Sequence, residues 1–191
     1  EEIINFLPDA TFVIDLDGKV IAWNHALENI TGVTASQMLG KGNYAYAIPF
    51  YGERKPMLAN LILLPDEEIE KRYNHINRDG DTLVVDIFIP SFGKDGTYFW
   101  AKASPLYDPG GNVVGAIETI RDITDRVKAE NEIKKTVQRL EEIINFLPDA
   151  TFVIDLNGQV IAWNKAMEDI TGASASQMLG KGDFAYAIPF Y

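Results

Sequence analysis

Residues 10–23, ATFVIDLDGKVIAW, form two β-rich runs on either side of Asp17-Gly18. Phe12, Ile14 and Leu16 fall on one side of the first run, the period-two signature of a strand with one buried face. Asp-Gly favours a tight type I′ hairpin, whose two central residues both take positive φ. NHALENITG then reads as a short helix closed by Gly32. TASQMLGK opens with Thr34 and Gln37 at the spacing of a capping box, in which the hydroxyl accepts the N3 amide. ERKPMLANLILL predicts another helix, stopping before Pro65. Four β-rich runs follow: EIEKRYNHINRDG, DTLVVDIFIPSFGKDG, TYFWAKASPLYDPGG and NVVGAIETIRDIT. The first two join at Asp79-Gly80 in either a hairpin or a bulge. Leu83, Val85, Ile87 and Ile89 share one side of a central run, and Val114, Ala116, Glu118 and Ile120 share one face of the last. The order β-β-α-α-α-β-β-β predicts an α+β fold, an antiparallel sheet with helices on one face.

After Thr124 the period changes. DRVKAENEIKKTVQRLEEIINFL is rich in charge with spaced aliphatics, and Ile133, Val137, Leu140, Ile144 and Leu147 follow the 4-3-4-3 seam of a parallel coiled coil. Extended backwards the seam meets Glu130, Arg126 and Ile123, so its first turns are weak. An amphipathic helix packed on its own domain is the alternative.

Residues 1–51 recur at 141–191 without a gap, differing at nine positions, among them Asp17/Asn157, His25/Lys165 and Thr34/Ser174. An offset of 140 is too long for a solenoid repeat and suits tandem domains. The expected organisation is a domain at 1–126, a helical connector at 127–147 and the front of a second domain at 148–191. The start on Glu and the stop within a repeat read as an excerpt from a longer protein.

Composition narrows the chemistry. The chain has no cysteine, which removes disulfides, thiolate metal sites and thiol-linked chromophores. A net charge of -11 argues against a nucleic-acid surface. No apolar run approaches the roughly 20 residues that span a bilayer. Asp15-x-Asp17-Gly18 lacks the ligand series and closing Glu of a calcium loop, so no metal site is expected. No nucleophile–base arrangement or phosphate loop is present, and no catalytic role is expected of this stretch.

LPDATFVIDLDGKVIAWN, the small helices ending in MLGK, and GNVVGAIETIRDITDRVKAE together resemble a PAS domain of the S-box type. The resemblance spans 1–126, with Asn24 and Asp122-Ile123-Thr124 its most specific elements. It implies a five-stranded antiparallel sheet whose helical face encloses a small cavity, followed by a long connecting helix. It also implies a cytoplasmic sensory or dimerisation module of a larger signalling protein, such as a sensor histidine kinase, whether or not that protein is membrane-anchored. Flavin photosensors of the family need a cysteine, and haem binders an axial His on the long helix; ERKPMLANLILL has neither, so the cofactor stays unknown.

On this resemblance the cavity candidates are Phe12, Ile14, Leu58, Leu61, Ile62, Tyr73, His75, Val85, Ile87, Trp100, Ala116, Glu118 and Ile120. Glu118 would face inward with Ile120, where a carboxylate needs a partner or a raised pKa; His75, Arg54, Lys55 or a ligand cation could serve. Asn24 is expected to bond backbone at the strand-to-helix turn. The aromatic stretch YAYAIPFYGERKP either packs or gates the cavity. Asp122, Ile123 and Thr124 would couple sheet to connector, with the Asp paired to a basic residue. The expected assembly is a homodimer through the connector and PAS surfaces. The second copy lacks the last strand that would flank its first, so dimer contacts or a segment swap of 141–191 would cover that edge. Two functions remain: a small-molecule sensor, or a ligand-free dimerisation and relay scaffold.

Overall fold

The alternating runs assemble into one antiparallel sheet of six strands, in the order β2-β1-β6-β5-β4-β3. These are β1 (Ala10–Asp15), β2 (Val20–Trp23), β3 (Asn77–Asp79), β4 (Thr82–Ile89), β5 (Thr97–Tyr107) and β6 (Val113–Asp122). The computed structural model describes residues 3–65 and 76–190, in two units, one ending at Val127 and one beginning at Lys128. The strand beyond the expected five is the three-residue β3. It pairs Asp79 with Thr82 across Gly80, whose φ of 59° closes a hairpin rather than a bulge.

The β1–β2 turn differs from the expected type I′. Gly18 has φ 72° and donates its N–H to the Asp15 carbonyl, but Asp17 is not among the positive-φ residues. A type I turn followed by a left-handed glycine is the three-residue hairpin loop, which needs φ > 0 at one position only.

Among the described residues, four short α-helices lie between β2 and β3: α1 (His25–Thr31), α2 (Ala35–Met38), α3 (Ile48–Tyr51) and α4 (Leu58–Leu61). Gly32 ends α1 in the left-handed conformation, and the Thr34–Gln37 capping box is formed at α2. The long helix expected from ERKPMLANLILL contracts to α4, because Pro56 disfavours helical backbone at the residue before it. The core lies between these helices and the inner sheet face, where Phe12, Ile14, Tyr46, Phe50, Leu83 and Phe99 are all buried. The aromatic stretch packs there: Tyr46 sits 5.0 Å from Phe12, and Phe50 meets Phe99 edge-on at 5.7 Å.

Helix α5 (Thr124–Phe146) follows β6 directly and has no buried residue. Ile133, Val137 and Leu140 of the seam are exposed along it, as is Leu147 just past its end, while Ile144 is half-buried. No helix among the described residues is long and apolar enough to cross a membrane.

In the second unit β7 (Phe152–Ile154) pairs β8 (Val160–Trp163), and α6 (Lys165–Thr171) and α7 (Ala175–Met178) follow. Val160, Trp163, Met167 and Met178 make its small core. The repeat works as an internal control on the sheet. Ile14, paired with Ala116 of β6, is fully buried, whereas its counterpart Ile154 is 40% exposed in a strand whose described partner is β8 alone. The same six letters, ATFVID, give six strand residues in one context and three in the other.

Candidate functional site

Small side chains occupy part of the inner face of the sheet. β5 turns Ala101 and Ala103 inward and β6 turns Ala116 inward, all buried. Ala101 borders the space opposite α4, which a larger side chain there would fill. This space has a volume of about 580 Å³ and is bordered by Tyr51, Lys55, Met57, Leu58, Leu61, Val85, Ile87, Ala101 and Glu118 among others.

Glu118 is the chemical centre of this wall. Register places it between Phe12 of β1 and Ala103 of β5, and it is 2% exposed. Its Oε2 accepts the Ala59 N–H at 2.8 Å. That N–H belongs to the first turn of α4, where helix geometry leaves donors without intrahelical partners. Among the described residues this is its one hydrogen bond, and no cation pairs with it. Desolvation in the apolar wall dominates, and pushes the carboxyl up to about 8; the Ala59 bond opposes it only partly. The expected cationic partners go elsewhere. Arg54 donates to the Asn43 carbonyl at 2.6 Å, and Lys55 sits 3.6 Å above the Tyr51 ring. His75 and Tyr73 lie outside the described residues.

Two tyrosines stand near this carboxyl. Burial pushes the Tyr46 and Tyr51 phenols up to about 12, with Glu118 adding to the effect. The Tyr46 oxygen accepts from Asn60 Nδ2 at 2.6 Å, and Asn60 Oδ1 accepts the Met57 N–H at 2.9 Å. Helix α4 is thus fastened at two points, to β6 through Glu118 and to the helical layer through Asn60.

Of the candidates, Leu58, Leu61, Val85, Ile87 and Glu118 border this cavity. Phe12, Ile14, Ala116, Ile120 and Ile62 instead pack in the core cluster rather than on the cavity's border. Trp100 is corrected outright: Phe99 and Ala101 take the inner face, so the alternation of β5 turns Trp100 to the other face, 5.5 Å from Arg121. Tyr51, Lys55, Pro56 and Met57 were missed as lining; they belong to the aromatic stretch and the loop after it, where no period marks a face.

Asn24, fully buried, is a five-bond hub. Its Oδ1 accepts the Thr11 and Leu27 N–H groups at 2.9 and 3.0 Å. Its Nδ2 donates to the carbonyls of Ile4, Leu7 and Asp9. Asn164 repeats all five in the second unit, with Ile144, Leu147 and Asp149 as the carbonyls. Ile144 lies in the last turn of α5, so the end of that helix is tied to the hairpin that follows it.

At the other end of α5, Asp122 Oδ1 accepts the Thr124 N–H at 2.8 Å. Among the described residues no base pairs with Asp122 as expected; the neighbouring ion pair is Asp9 with Arg121, at 2.9 Å from Nε. Asp122 follows Arg121 on the strand and so faces the other way, towards the helix start it caps. Thr124 Oγ1 accepts the Tyr98 N–H at 3.0 Å, and the Ile123 N–H donates to the Tyr98 carbonyl. The triplet joins β6, β5 and α5.

A family model described as a PAS domain matches residues 8–125, and one described as a PAS fold matches 138–182. The chain belongs to the PAS domain family. PAS domains are sensory modules of signalling proteins. Phytochrome B of Sorghum bicolor is 25% identical over 195 residues, covering 94% of this chain and 15% of its own length. The bacterioopsin transcriptional activator of Halobacterium salinarum is 25% identical over 141 residues, covering 73% of this chain and 18% of its own. The chain thus spans about 15% of the phytochrome B sequence. Among solved structures, the PAS domain of a Colwellia psychrerythraea protein is 20% identical with a TM-score of 0.43, covering 65% of this chain and 93% of that one. The PAS domain of Bordetella pertussis BvgS is 18% identical with a TM-score of 0.44, covering 72% and 93%.

Proposed function

We propose that the first PAS domain, 1–126, is a small-molecule sensor within a larger signal-transduction protein, a sensor histidine kinase or related cytoplasmic regulator. The observation that carries this is Glu118: a buried carboxyl with one hydrogen bond on the wall of a 580 Å³ cavity. A relay scaffold with no ligand would gain stability from an apolar residue at this position. Occupancy would act on the bond between Glu118 and α4, and β6 carries Glu118 four residues from Asp122. The capped start of α5 is the element that bistable sheet arrangements would tilt or shift.

The exposed seam of Ile133, Val137 and Leu140 supports a parallel homodimer through the connector at 127–147. Exposure of Val153 and Ile154 supports further pairing of the second copy with another chain, by docking or by exchange of 141–191. The signal would enter that copy through the Asn164 hub.

Native mass spectrometry of the 191-residue chain tests occupancy. The chain is expected to carry a small-molecule adduct that denaturing spectra lack, and Leu61→Trp, which fills the cavity, is expected to lose it while staying folded. An adduct that persists in Leu61→Trp would place binding elsewhere, and no adduct with no binding from a metabolite panel would leave the scaffold reading.

A further inference from the structure

We infer that the cavity selects a molecule that is neutral where it meets Glu118 and accepts a hydrogen bond there, a carbonyl or ring-nitrogen compound with an apolar body, rather than an organic cation. This deepens the sensor reading and rests on it.

Geometry supplies the main argument. Oε2 of Glu118 is engaged by the Ala59 N–H, which leaves Oε1 as the atom that carries the proton of the neutral acid. A carboxylic acid so placed offers one O–H donor, and no described side chain accepts from it. Among the described residues, the groups packed around it bring no compensating charge from the helices or the sheet. Phe12 and Ala103 flank it on β1 and β5, and Tyr46 and Tyr51 face it as neutral phenols. The raised pKa of Glu118 agrees with a neutral acid near pH 7.

The charges at the rim disfavour a cation. Lys55 stands over Tyr51, occupying the aromatic face that an ammonium group would use. Asp86, also on the border, is paired with Arg126 at 3.4 Å. A buried ammonium would also have to ionise Glu118 and desolvate both charges, which a single ion pair seldom repays. A hydrogen bond from the neutral acid to a carbonyl requires neither step.

The test uses the full chain and three seven-carbon compounds of one shape: 2-heptanone, 2-aminoheptane and heptanoate. Binding is measured by saturation-transfer NMR at pH 6.5 and 9.5, for wild type and Glu118→Gln. The ketone is expected to bind wild type at pH 6.5 and to weaken by about tenfold or more at pH 9.5, as the donor proton is lost. Glu118→Gln, which keeps an N–H donor, should bind the ketone equally at both pH values. The wild-type pH profile stands by itself should that variant fold poorly. Tighter binding of the ammonium compound, or ketone binding indifferent to pH, overturns the inference and leaves the sensor reading intact. Preferential heptanoate binding does the same and moves recognition to Lys55. Binding of none of the three contradicts both.

Discussion

Replacing Asn24 with Ala is expected to destabilise the first domain by about 3–5 kcal/mol, the range of a broken buried polar network. One side chain there satisfies two N–H groups and three carbonyls, and it is fully buried. Loss of its cap on α1 accounts for about 1 kcal/mol. The remainder comes chiefly from the buried Thr11 N–H, which loses its partner where water does not reach. Asn24→Asp keeps both acceptor bonds and loses the three donor bonds, so its effect should fall between wild type and Ala. The matching Asn164→Ala should leave the main calorimetric transition nearly unchanged, because its five bonds support a smaller core in the other unit. A main transition in Asn24→Ala within about 1 kcal/mol of wild type would contradict the hub.

The second large effect is a pH dependence. Glu118 has an unfolded value near 4.5 and a folded one near 8, so between these the folded state binds the additional proton. Stability from this group is therefore full below about pH 4.5, falls as pH rises, and is gone above about pH 8. The upper bound on the loss is on the order of 5 kcal/mol, with water entry reducing it. Asp9 and Asp108, whose values are lowered by Arg121 and by hydrogen bonds from Asn112, act oppositely and only at acid pH. Urea unfolding across pH 5–9 should thus show wild type weakening with pH while Glu118→Gln stays flat, so that the variant is the more stable at pH 9. Parallel curves for the two proteins would mean that Glu118 is not the titrating group.

Much of this domain was legible because its signals are local. The period-two runs placed Phe12, Ile14, Leu83 and Ile120 inside, and the capping residues Asn24, Thr34 and Gly32 act through neighbours a few positions away. Alternation put Glu118 in phase with Ala116 and Ile120, and the resemblance to PAS domains pointed that face inward. What escaped was set by distant packing. Trp100 differs from Phe99 by one place in the alternation, and both are large enough for a cavity wall, so only the pairing of β5 with β4 and β6 decides between them. The shortness of α4 and the lining role of Tyr51, Lys55 and Met57 depend on the sheet beneath them. The repeat makes the point most directly, since identical strand letters form a longer strand only where β6 is present.

An occupied cavity is expected to change the helix Thr124–Phe146. The absence of native cysteine makes a single spin label at Val137→Cys clean. Pulsed electron resonance between the two labels of a dimer can then be recorded with the bound molecule present and after its removal. The interlabel distance is expected to shift on removal, and not to shift in a chain that also carries Thr124→Ala, which still binds the molecule. The same distance distribution with the cavity full and empty would contradict this coupling.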